Sequence, residues 1–209
     1  MELSEVMRTT GTCRRFRPDP VPDAVLHRAF ELARFGPQGG NRQPLRWIVV
    51  RDPEVKRALG DLYRPLWADY VGQRPGAGLT EADRFAEDFG ELPVIVVVCA
   101  KLSALHPTDH ELGRLSVVGG GSIYPTVQNL CLALRDQGVG SAFTTLLCRV
   151  EPEVRELLAI PEGFITAAHL GVGYPERPFP RKLSRGPVED VVFADGFGRP
   201  LFTSGTDPR

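Results

Sequence analysis

The residues of this chain that could do chemistry are amides and arginines. Gly36-Pro37-Gln38-Gly39-Gly40-Asn41-Arg42-Gln43-Pro44 puts the amides of Asn41 and Gln43 beside the fixed cation of Arg42. Its adjacent glycines permit positive φ and close backbone approach. Its two prolines keep the flanking elements from running on. A loop so rigid and so polar suits a planar, hydrogen-bonding heterocycle, or the polyol and phosphate arm of one. A plain helix-to-strand connection would need only a glycine cap and a few polar residues. Thr12, Arg14, Arg15 and Arg17 form a first basic cluster before Pro18, and Arg177, Arg181, Lys182 and Arg185 form a second. Forked guanidinium donors match a phosphate, while Arg17 and Arg177 read better as solvated surface. Together the loop and the clusters predict a phosphorylated cofactor that carries the chemistry, with no catalytic side chain of the protein's own.

Other chemistries find little support. No Gly-x-x-x-x-Gly-Lys-Ser/Thr loop is present, and Gly119-Gly120-Gly121-Ser122 lacks both the Gly-x-Gly-x-x-Gly spacing and a preceding strand. That run could still offer backbone N–H groups to an anion, or be a simple turn with Ser122 as a helix cap. His106 and His110 stand four apart near Asp109 and Glu111, but Pro107 lies between them and no third ligand is apparent, so a solvated loop is preferred to a metal site. His27 lies on the polar side of its helix, and His169 in an apolar strand reads as a satisfied core histidine. Lys and Arg number 25 against 26 Asp and Glu, so no broad basic surface invites nucleic acid or an anionic membrane. No stretch approaches the roughly 20 apolar residues of a membrane helix. Cys13, Cys99, Cys131 and Cys148 are scattered without a Cys-x-x-Cys pair, and a cytoplasmic protein with reduced thiols is expected.

The elements that must position these residues can be read from periodicity. Leu3, Val6 and Met7 predict a short helix, and Val25, Leu26, Ala29, Leu32 and Ala33 predict one that ends at Gly36. Leu45–Arg51 reads as a strand. Asp52-Pro53-Glu54 opens a helix with Gly60 as its expected stop. Residues 61–90 read as helical at both ends of a break at Gln73–Gly78, with Thr80 and Asp83 capping the second piece, and form a candidate lid. Val94–Cys99 is a strand, and Ser122–Gln137 is a helix apolar nearly all round, hence central or buried in a dimer. Ser141–Leu147, Phe164–Val172 and Val188–Ala194 read as strands, the last without an evident partner, and Pro152–Ala159 as a helix. The chain reads as one domain over 1–209, α/β or α+β, with residues 175–209 as a C-terminal arm.

In sequence order the motifs resemble those of the FMN-dependent nitroreductase family over nearly the full length. They begin with Thr12-Cys13-Arg14-Arg15-Phe16 and Pro18-Asp19-Pro20-Val21-Pro22, then Ala33-Arg34-Phe35-Gly36-Pro37 and Gly40-Asn41-Arg42-Gln43-Pro44 leading into Trp47-Ile48-Val49-Val50. Later come Val127-Gln128-Asn129-Leu130, Gly138-Val139-Gly140, Ile160-Pro161-Glu162, Gly171-Val172-Gly173-Tyr174-Pro175 and the Arg185-x-Pro187-x-Glu189-x-Val191 tail. Each piece alone is weak; their order and spacing carry the match.

The resemblance implies an α+β fold, a mainly antiparallel central sheet wrapped by helices. It implies an intertwined homodimer with the 188–194 strand exchanged to the partner. FMN would sit at the dimer interface, its phosphate and ribityl arm near Thr12, Arg14 and Arg15, with Arg181, Lys182 and Arg185 closing from the tail. Pro37, Gln38, Gly39, Asn41 and Gln43 would line the flavin from the other subunit, and Thr144, Thr145 and Leu146 would face its N5 and pyrimidine edge. The implied activity is electron transfer from NADH or NADPH to a small acceptor such as a nitroaromatic or quinone, in ping-pong fashion. A flavin-cleaving or oxidase relative and a non-catalytic FMN-storing protein are the alternatives. The chain departs from the family at Thr10-Gly11, where many members carry an arginine, and at Gln38, where many carry serine.

Overall fold

A computed structural model describes residues 1–72 and 80–202. Its centre is a four-stranded sheet in the order β1 (Leu45–Val50), β2 (Val94–Lys101), β4 (Phe164–Gly173), β3 (Gly140–Thr144), antiparallel throughout. The apolar, β-branched run of β2 explains its central place, since every residue of it but Lys101 is buried. Val94, Val96 and Val98 point into a core shared with α2 (Asp23–Ala33) and α5 (Tyr124–Asp136). Ile95, Val97 and Cys99 point into a second core beneath α3 (Pro53–Gly72), α4 (Glu81–Glu87) and α6 (Glu151–Leu157). Helices therefore cover both faces of the sheet, as the α+β expectation requires. A short α1 (Leu3–Thr9) lies against α5.

The β2–β4 ladder slips by one residue: Val98 faces Ala168, but Cys99 faces Thr166. Ala167 is the extra residue of this bulge. Its carbonyl accepts the Tyr124 hydroxyl from α5 at 3.4 Å.

The segment 61–90 is helical on both sides of residues 73–79, and the expected break at 73–78 lies outside the described residues. Its inner face is core: Tyr63 stacks on Phe89 with centroids 4.1 Å apart, and Phe85 meets both edge-on. The Thr80–Asp83 capping box forms as expected. Asp83 also accepts the Trp67 indole N–H at 2.8 Å, tying α4 to α3.

Three expectations need correction. Gly60 does not stop a helix; α3 runs on to Gly72, and Gly60 is there because a Cβ would come within 2.9 Å of the Gly90 backbone. Ser122 does not cap α5, which begins at Tyr124 without a side-chain cap. Residues 188–194 form no strand within the chain. Val188–Asp190 is a 3-10 turn, and among the described residues Phe193 bridges to Pro200, so the stretch folds back on its own arm. Both sheet edges lie elsewhere, which leaves these residues no ladder to join in a single copy.

His169 is in the core as expected, but neither ring nitrogen has a partner among the described residues. Burial alone pushes its pKa down to about 4. The unfolded chain, with an ordinary histidine near 6.5, binds more protons between these two values, so this group makes stability rise with pH from about 4 to about 6.5. We expect His169→Leu to flatten the pH dependence of urea-unfolding stability in that window, by on the order of 3 kcal/mol. Identical wild-type and variant slopes would show that the imidazole is protonated as readily in the folded as in the unfolded chain.

Candidate functional site

The amide loop is held from below. Gly36 ends α2 so close to α5 that a Cβ there would fall 2.6 Å from the Thr126 Cα, and only glycine fits. Two residues after Pro37, the Gly39 N–H donates to Ser122 Oγ at 3.0 Å. The backbone then turns left-handed at Gly40, Asn41 and Gln43, with φ of 60°, 51° and 48°. Glycine adopts this conformation freely, but for a side chain it costs about 1 kcal/mol or more. Strain of this kind persists where the surroundings enforce it and concentrates at ligand sites. Its effect is to stand the amides of Asn41 and Gln43 out from the surface, while Gln38 Oε1 is buried with no partner.

The loop connects to the end of β3. Tyr124, two residues past Ser122, meets Phe143 edge-on with centroids 6.0 Å apart, and Phe143 precedes Thr144. Thr144 Oγ accepts the Leu146 N–H at 3.2 Å and pairs with the Tyr63 hydroxyl at 3.2 Å. A cavity of about 280 Å³ opens here, walled by Tyr63, Trp67, Tyr70, Phe143, Thr144, Thr145 and Leu146. Burial raises the Tyr63 pKa, opposed by the Thr144 hydrogen bond and by the charge of Arg14. The phenol is therefore neutral at physiological pH, able to donate to Thr144 or to accept from it.

The N-terminal cluster docks near the start of β3. The Cys13 N–H donates to the Ser141 carbonyl at 2.9 Å, and Thr12 bridges to the same residue. Ser141 and Thr144 are three residues apart on one strand, about 10 Å. A ligand with an anionic tail and a planar head could span that distance. Thr12, Arg14 and Arg15 line a cavity of about 240 Å³ with Arg177, and a second one of about 300 Å³ shares Arg14 and Arg15.

The two arginines differ in what they face. Arg15 sits 3.6 Å from Glu176 and 4.0 Å from Glu81, and Glu81 also binds Arg177 at 2.9 Å. Arg14 has no ion pair or hydrogen bond among the described residues, so it is the cation of this cluster whose charge is left for an anion. Burial pushes the Cys13 thiol up to about 11, which rules it out as a thiolate nucleophile. Arg181, Lys182 and Arg185 lie farther along the arm. The neighbouring Leu183 N–H donates to the Arg8 carbonyl, and Arg185 binds its own neighbour Ser184, so a single copy does not bring this second island to the cavities around Arg14. Leu183 and Pro180 pack closely on Gly11, where a Cβ would meet the Leu183 side chain at 3.0 Å.

Sequence reading missed the aromatic wall of Tyr63, Trp67 and Tyr70, although their spacing of four and three residues places them on one helix face. Arg177 is exposed, as its reading as solvated surface expects, but it also lines the cavity and pairs with Glu81. The contact with Glu81, far away in sequence, had no local signal.

The sequence profile of the nitroreductase family matches residues 7–174. The chain is 30% identical over 183 residues to 5,6-dimethylbenzimidazole synthase of Rhodobacter capsulatus, covering 83% of this chain and 84% of that protein. It is 30% identical over 190 residues to NADH dehydrogenase of Thermus thermophilus, covering 86% and 89% of the two chains. Among solved structures, oxidized iodotyrosine deiodinase bound to FMN and 3-iodo-L-tyrosine has the same fold, with a TM-score of 0.68, 24% identity and coverage of 93% and 98%. The chain belongs to the nitroreductase family. No helix among the described residues is long and apolar enough to cross a membrane.

The strain at Gln43 and the close approach at Gly36 predict opposite effects. Gln43→Gly should raise unfolding stability by about 1 kcal/mol, because it removes the left-handed penalty. Gly36→Ala should lower it by about 1–3 kcal/mol through overpacking against Thr126. Chemical denaturation of the two variants measures both, and a destabilised Gln43→Gly would mean that the side chain, not the backbone, holds the loop.

Proposed function

We propose that this member of the nitroreductase family binds FMN and passes electrons from NADH or NADPH to a small acceptor such as a nitroaromatic or quinone, in ping-pong fashion. The observation that carries the reading is the strained loop at 40–43. Its cost is understandable where the loop's amides must meet a planar, hydrogen-bonding ligand.

The residues present fit such a cofactor. Arg14, with no carboxylate of its own, would hold the phosphate together with Thr12, and Arg15 would add a charge already shared with Glu81 and Glu176. Gln38 Oε1, a buried acceptor without a donor, would take a hydrogen bond from the cofactor. Pro37, Gly39, Asn41 and Gln43 would line one wall, and Thr144, Thr145 and Leu146 the polar edge. When bound, FMN supplies reversible two-electron chemistry. The chain's own part is to bind, to orient and to keep water off the reacting edge, through the aromatic wall of Tyr63, Trp67 and Phe143. The 61–90 helices would then act as the lid of the acceptor site.

In this reading the wall and the phosphate cluster of one site come from two copies of the chain. The exposed arm, with Val191 and Phe197 on its surface, would cross to the partner and supply Arg181, Lys182 and Arg185 there. A second reading, oxidative or flavin-cleaving chemistry on the same cofactor, is favoured by the 30% identity to 5,6-dimethylbenzimidazole synthase.

The test is the visible spectrum of the purified protein before and after anaerobic addition of NADH or NADPH. A bound flavin that bleaches within seconds supports the reductase. A bound flavin that bleaches with neither favours the second reading, and a protein that neither carries nor binds FMN sinks both. Arg14→Ala should weaken FMN binding about 10- to 100-fold, since a hydrogen bond to a charged group contributes about 1.5–3 kcal/mol. Arg15→Ala should weaken it less, which equilibrium dialysis of the two variants will show.

A further inference from the structure

The fully buried imidazole of His169 is a polar group that the proposed function leaves unused. Both its nitrogens are without partners among the described residues. Leaving a buried polar group unsatisfied destabilises the fold, so such a group calls for an explanation. In the sheet His169 stands between Val97 of β2 and Thr144 of β3. Residues paired across antiparallel strands present their side chains on the same face, with Cβ atoms about 4.5–5.5 Å apart. Val97 has no polar side-chain atom, so the polar group directly across the ladder from the imidazole is the Thr144 hydroxyl.

That hydroxyl has its proton left to place when Tyr63 is the donor of the bond between them. Its oxygen accepts the Leu146 N–H, and the buried Tyr63 phenol lies 3.2 Å away. A hydroxyl oxygen has two lone pairs and one proton. With Leu146 and Tyr63 both donating, the lone pairs are filled and the Thr144 proton must point to another acceptor. Two positions compete for it, a neutral nitrogen of His169 on the neighbouring strand and a group bound in the cavity that Thr144 lines.

We propose that His169 is a positioning residue, which takes up the Thr144 hydroxyl proton's hydrogen bond through one bridging water and so sets how strongly the site donates a hydrogen bond to the edge of its flavin. The inference rests on the FMN reading for its consequence, but not for the pairing itself. The imidazole draws the proton back, and the bound group competes for it. Replacing His169 frees the hydroxyl to donate forward, which favours the more electron-rich reduced ring and raises its midpoint potential.

Two measurements test this separately. In flavin-free protein, nitrogen-15 NMR of the His169 ring should show a hydrogen-bonded acceptor nitrogen whose shift moves in Thr144→Val; an unmoved shift overturns the pairing. In FMN-loaded protein, His169→Leu should raise the midpoint potential, His169→Gln should return it toward wild type, and His169→Leu should add nothing in a Thr144→Val background. A shift of the same size in that background, or no shift at all, overturns the positioning role. If wild-type protein binds no FMN the cofactor reading fails, and the NMR result alone decides whether His169 and Thr144 are paired.

Discussion

The contact between Gly36 and the backbone of Thr126 is the constraint on which the rest of the site depends. It brings the end of α2 against the first turn of α5 with no side chain between them. That approach places the following loop over Ser122, where a single hydrogen bond from Gly39 anchors it. Held at both points, the chain must reach Pro44 and β1 within a few residues, and it does so through left-handed turns at Gly40, Asn41 and Gln43. The same first turn of α5 carries Tyr124 to Phe143, which adjoins Thr144. One close approach of two backbones therefore sets where both the amide wall and the polar edge stand.

Charge at the phosphate end is balanced rather than abundant. Arg15 and Arg177 are shared with Glu81 and Glu176, and these acids come from α4 and from the arm. Such partly exposed pairs contribute little to stability, on the order of 1 kcal/mol or less each. Their importance is in distribution: they confine most of the basic cluster to the protein's own carboxylates and leave Arg14 as the outward cation.

Much of this was legible in the sequence. The four core strands, the Thr80–Asp83 cap and the amide loop announce themselves through local rules that act within a few residues, while the choice of α+β over α/β came from the order of motifs along the whole chain. What escaped reading was tertiary. Gly60 carries the signature of a helix stop, yet α3 uses it to approach Gly90. Ser122 looks like a cap but is engaged by a residue 83 positions away. Val188–Ala194 has strand composition, but composition cannot supply a neighbouring strand. His169 was placed in the core correctly, and its lack of partners could not be read, because satisfaction of a buried group depends on what faces it across the sheet. The roles of Gln38, Arg181, Lys182 and Arg185 at a cofactor stay with the proposal.

The bulge at Ala167 gives β4 a property that no other part of the ladder has. Thr166 and His169 are three residues apart, an odd spacing that would put them on opposite faces of a regular strand. Because Ala167 is the extra residue, Thr166 pairs with Cys99 and His169 with Val97, and both face the second core. Losing Ala167 would therefore restore a continuous alternation with every remaining side chain on its present face. A deletion in the regular stretch on either side would turn the rest of the strand inside out. Within the most buried part of the fold, this is a place where the chain could lose one residue and keep the facing of the strand, at the cost of the Ala167 methyl in the first core and of the carbonyl that now holds Tyr124.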